Sequence, residues 1–101
     1  MFIKAAKWLD AQYELTQINL RWAEIMVDAN KYQWKPEFLW TKQELDEVIE
    51  LYEKAYELVN REFEIYMIVK AYDHIPVLTD TFEKLDDELW KLKRRTALMT
   101  A

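Results

Sequence analysis

The chain contains no glycine and no cysteine, and only two prolines and one histidine. Tight primed hairpin turns and phosphate-cradling loops both lean on glycine, so β-hairpin architectures and Rossmann or P-loop nucleotide sites are not expected. Without cysteine there is no disulfide, thiolate zinc site, iron–sulfur cluster or cysteine nucleophile. A single histidine, His74, cannot make a histidine triad or a two-histidine metal site. Nor does a glutamate stand three residues before it, as ferritin-like E-x-x-H sites require. No uncharged apolar run approaches the ~20 residues that cross a bilayer. Asp10 and Glu14 arrive too soon for a signal-peptide core. A soluble, cytoplasmic protein without cofactor or metal is expected.

What is present is apolar and acidic. The 101 residues suffice for one domain, 1–101, and are 51% hydrophobic and 15% aromatic. A domain of this size hides roughly 60–70% of the surface its unfolded chain would expose. So much apolar side chain in so small a body suggests that a second chain covers part of it, a homo-oligomer or another protein. The net charge is −5, but residues 81–101 hold 5 basic and 4 acidic side chains. The negative body argues against direct binding to a phosphate backbone.

Apolar residues in the first third recur at Trp8, Ala11, Leu15, Ile18, Trp22, Ile25 and Ala29, in alternating steps of three and four. That is one helical face with the beat of a coiled coil or long bundle, and it predicts a helix over about 3–30. Thr41, followed three residues later by Glu44, is a capping box that opens a second helix. Leu45, Val48, Tyr52, Ala55 and Val59 form its seam. Two further stripes flank that seam: Ile49, Tyr56 and Phe63, and Leu51, Leu58, Ile65 and Tyr72. So wide an apolar arc makes this the central helix, touching two neighbours. Pro76 disfavours a helical residue before it and sets the end near 73–75, giving about 42–74.

A third helix, about 80–99, is expected from Asp80 and Glu83 at cap-box spacing and a seam of Phe82, Leu85, Leu89, Leu92, Thr96 and Met99. Acidic Glu83, Asp86, Asp87 and Glu88 fall early and Lys91, Lys93, Arg94 and Arg95 late, which suits the helix macrodipole. The basic cluster also suits an acidic partner. The expected product is an all-α antiparallel three-helix bundle with a short third helix that leaves the end near residues 31–40 uncovered.

That stretch reads KYQWKPEFLW. Two readings stand for its aromatics. Tyr32, Trp34, Phe38 and Trp40 plug the open end of the bundle, or they form an exposed anchor for a partner, since tryptophan and tyrosine dominate interface hot spots. His74 is expected to cap the carbonyl end of the second helix, where a cation is welcome. Glu62 falls on the seam between Val59 and Tyr66. There it either acts as a polar registry or site carboxylate, or snorkels at the edge while Phe63 fills the core.

Carboxylates give two further readings. Glu47-Val-Ile-Glu50 and Glu50-Leu-Tyr-Glu53 each set two carboxylates on one helical face, and Glu83-Lys-Leu-Asp86 does so on the third helix. E-x-x-E on one helix with E-x-x-D on another resembles the magnesium site of the all-α nucleotide pyrophosphohydrolases of the MazG type. The resemblance implies several carboxylates holding Mg²⁺ against substrate phosphates, because a hard cation prefers oxygen ligands. Alternatively, the row that includes Glu47, Glu50 and Glu57 imitates a nucleic-acid backbone and blocks a nucleic-acid enzyme. The main reading is non-enzymatic. It is a small acidic helical interaction module, an inhibitor or adaptor of the kind a phage or other mobile element would encode. It docks on another protein, or on itself, through Trp34, Phe38 and Trp40 of the connection and Met67 and Tyr72 near the end of the second helix.

Overall fold

A computed structural model describes residues 2–100, with side chains for residues 8–99. It forms three long helices: α1 (Phe2–Asn30), α2 (Lys42–Ile68) and α3 (Ile75–Thr100). The described residues contain no strand. The body is elongated, 58 × 21 × 18 Å. α2 is the central helix and packs along both α1 and α3.

The stripes read from α2 go to different neighbours. Ile65, with Leu58 beside it, packs on Ala11, Leu15 and Ile18 of α1. Tyr56 and Phe63 meet Phe82 of α3 edge to face, at ring separations of 5.1 and 6.1 Å. Between them lies a cluster drawn from all three helices: Ile25, Ala55, Val59, Leu78 and Leu85. A third cluster, Leu45, Val48 and Leu92, closes the end near the connection. The expected capping box at the start of α2 is complete. The Thr41 hydroxyl accepts from the Glu44 amide and the Glu44 carboxylate accepts from the Thr41 amide.

The boundary between α2 and α3 differs from the expected one. α2 ends at Ile68, not near residue 74, and α3 begins at Ile75, not at residue 80. Lys70 adopts a left-handed conformation with φ of 59°. The Ala71 amide then donates to the Tyr66 carbonyl and the Lys70 amide to the Met67 carbonyl, the two bonds of a Schellman motif. This position usually belongs to glycine, and a chain without glycine places lysine there. A short 3₁₀ turn, Tyr72–His74, leads into α3. Ile75 is helical although a proline follows it. Pro76 occupies the first turn of α3, where its missing N–H needs no partner.

The early start moves Asp80 into the helix interior, so it caps nothing and instead pairs with Lys84 at 2.9 Å. It also adds Leu78 to the α3 seam and makes α3 long enough to reach the connection. There Leu92 joins the core and Arg95 approaches Glu37 at 3.5 Å. The macrodipole account of α3 fails for the same reason: neither the acidic nor the basic run lies in a terminal turn, where that effect is felt. Met99, placed on the seam by its spacing, is exposed.

Candidate functional site

The connection between α1 and α2 folds as two 3₁₀ turns, Lys31–Trp34 and Glu37–Leu39, around an extended Lys35 and Pro36. The extended Lys35 follows from the proline after it. Both readings of its aromatics hold, for different residues. Tyr32 and Trp40 are half-buried against Leu45, Val48 and Leu92. Their rings meet edge to face at 6.1 Å, and the Trp40 indole N–H donates to the Tyr32 carbonyl at 3.1 Å. The Tyr32 hydroxyl donates to the Glu47 carboxylate. That bond, with burial, pushes the Tyr32 phenol up to about 12. Trp34 and Phe38 point the other way, 90% and 72% exposed, and Leu39 is exposed beside them.

The frame holding these two rings is tied at several points. The Lys35 ammonium donates to Glu44 at 2.7 Å. That contact and the Thr41 amide hold the Glu44 carboxyl below its usual range. Arg95 reaches across from α3 to Glu37. The plug thus fixes the connection while Trp34 and Phe38 stand in solvent.

Met67 and Tyr72 are exposed too, but at the opposite end of α2, roughly 40 Å away along its 27 residues. The five candidate docking residues therefore occupy two ends and do not make one site. The apolar segment IYMIVKAY, residues 65–72, is covered on one side. Ile65 is buried, while Met67, Ile68 and Tyr72 face solvent. Beside it Ala11, Tyr13, Ile65, Ile68 and Val69 line an open groove between α1 and α2.

His74 does not cap α2, whose end is closed by the Schellman bonds. Its ring stacks on Tyr66 at 4.4 Å and 16°. Glu62 is half-buried at the seam edge, and Phe63 packs against the core. Burial raises the Glu62 pKa, and the nearby His74 opposes this. Arg61, a conceivable partner for Glu62, bonds Glu14 and Glu64 instead, both at 3.0 Å.

The acidic row on α2 is broken by bases. Glu50 pairs with Lys54 at 3.4 Å, and Glu47 is held by Tyr32 and Gln43. Glu57 is exposed and lines a groove shared with Lys54 and Arg21. Among the described residues no three carboxylates or imidazoles come together as metal ligands. Glu53, the partner of Glu50 in the E-x-x-E pattern, is bridged to α3 by Lys93 at 3.0 Å. Glu50 and Glu53 of that pattern are thus each held in an ion pair. The basic cluster of α3 is engaged within the chain: Lys91 with Asp87, Lys93 with Glu53, Arg95 with Glu37, and Arg94 over the Trp90 ring.

The sequence reading missed a second apolar face on α1. Leu9, Tyr13, Leu20 and Val27 are each more than half exposed. Their spacing carries the signal, but Thr16 and Ala23 dilute it beside the unbroken Trp8-to-Ala29 beat on the opposite face. No described helix is long and apolar enough to cross a membrane. No protein-family model, curated protein or solved structure matches the chain.

Proposed function

We propose that this chain is a protein–protein interaction module, an inhibitor or adaptor acting in the cytoplasm, and that it docks through Trp34 and Phe38 on the α1–α2 connection. The carrying observation is the division of labour within one short segment. Tyr32 and Trp40 are spent on holding the connection in place, and Trp34 and Phe38 are left in water. Burying a large apolar side chain is worth about 1.5–3 kcal/mol. Two such side chains held outward on a frame pinned by Glu44, Glu47 and Arg95 are pre-organised anchors. A partner that buries them gains that energy without the cost of ordering a loop.

Trp40 belongs to the frame in this reading. Met67 and Tyr72, at the far end, lie outside the docking site. The reading stands ahead of a nucleic-acid mimic because Lys54 and Arg61 interrupt the acidic face. The test is capture from the source cell's lysate by the wild-type chain beside Trp34→Ala/Phe38→Ala. Both side chains are exposed, so the double variant is expected to keep its helicity and lose the partner. A folded double variant that retains the partner would refute the assignment.

A further inference from the structure

α1 carries a second seam that no described residue covers. Leu9, Tyr13, Thr16, Leu20, Ala23 and Val27 follow one another in steps of four and three, and all are exposed. The residues that face the bundle, Ala11, Ile18 and Ile25, lie on the opposite side of the helix. No charged residue falls on the exposed seam. Alternating steps of three and four are what a helix needs to keep one face against a second helix over its whole length.

The surface area points the same way. The chain exposes 7633 Å². A compact monomer of 12.4 kDa exposes about 6,100 Å². The excess, roughly 1,500 Å², is larger than the ~800 Å² that a standard interface takes from each partner.

We infer that a second copy of this chain covers the seam, in a parallel two-fold dimer whose axis runs along paired α1 helices. The polar positions beside the seam admit a second copy and select its direction. In the parallel arrangement Gln12 faces Gln17 of the partner subunit, and Asn19 faces Glu24 of the partner subunit, so no like charges meet. The antiparallel arrangement would set Asp10 against Glu24 of the partner subunit on both sides of the axis, a like-charge contact that association disfavours. Val27, the last residue of the seam, is β-branched, which suits a two-stranded arrangement. This dimer uses a different surface from the Trp34/Phe38 site and stands or falls separately from it.

Sedimentation equilibrium of the full chain tests it. The expected mass is twice 12.4 kDa. Leu20→Glu/Val27→Glu would place like charges on the axis and is expected to weaken the dimer on the order of 100-fold, with helicity unchanged because both side chains are exposed in one copy. A monomer at every concentration up to the solubility limit would overturn the proposal. So would a dimer that the double variant leaves intact. Direction is read from single-cysteine variants, which are unambiguous in a chain without cysteine. In the parallel dimer Ala23→Cys links to its own copy on mild oxidation with oxidised glutathione. Linkage only between Ala23→Cys and Tyr13→Cys chains would overturn the parallel arrangement.

Discussion

Lys70→Gly should stabilise the protein. Lys70 is the non-glycine residue held at positive φ among those described, 59°, in the turn that ends α2. The left-handed conformation costs an L-residue roughly 1–2 kcal/mol through the crowding of its Cβ. Glycine removes that crowding but adds freedom to the unfolded chain, worth about 0.5–1 kcal/mol in the other direction. The balance favours the variant by about 0.5–1 kcal/mol, and by roughly 2–6 °C in Tm for a domain of this size. No side-chain bond is lost, because the two Schellman bonds are donated by backbone amides. The assay is urea and thermal unfolding followed by far-UV circular dichroism, with Lys70→Ala as control. Alanine keeps the Cβ and should gain little. The sign is the decisive quantity. Were the helix continuous to Pro76, as its apolar pattern suggests, glycine would sit in a helix interior and cost about 1 kcal/mol relative to alanine. A destabilised Lys70→Gly would therefore refute the Schellman turn and the boundary drawn from it.

Two other substitutions probe the frame, and a third probes the α2 seam. Thr41→Ala removes one half of the capping box and should cost about 1 kcal/mol by urea unfolding. Tyr32→Phe deletes the bond to Glu47 and should also cost about 1 kcal/mol at neutral pH. The Tyr32 pKa is raised from 10.0 to about 12 in the folded state, so its contribution is full below pH 10 and is lost as pH rises through about 12. The gap between wild type and Tyr32→Phe should close over that window in alkaline unfolding titrations. Glu62 has a folded pKa raised above 4.5 by burial, so its ionised form weighs against folding at neutral pH and its protonated form does not. Glu62→Gln should raise the urea midpoint at pH 7, and the advantage should fade as the pH is taken below 4.5.

The seams were legible because helix periodicity places one residue type on one face, and the buried members on each helix are largely those the spacing picks out. Thr41 and Glu44 were legible because a capping box is local. The end of α2 was not. The usual signal there is glycine, and Lys70 carries none of it. Pro76, the visible breaker, lies within the first turn of the next helix. The α3 start was misplaced as a consequence, along with the dipole argument built on it. Within KYQWKPEFLW the sequence marks four aromatics alike. Only the packing of Tyr32 and Trp40 on Leu45, Val48 and Leu92 separates the plug from the exposed Trp34 and Phe38. That choice depends on Leu92 arriving from α3, a contact far away in the chain and invisible to local pattern.

The docking assignment is tested most directly by site-specific photo-crosslinking. A benzophenone-bearing phenylalanine analogue is placed at Phe38, and in a second chain at Glu57, which is exposed on α2. Both are irradiated in the source cell's lysate. A different protein captured from position 38 and absent from position 57 is the expected result. Capture from neither position, or the same protein from both, would contradict an anchor on the α1–α2 connection.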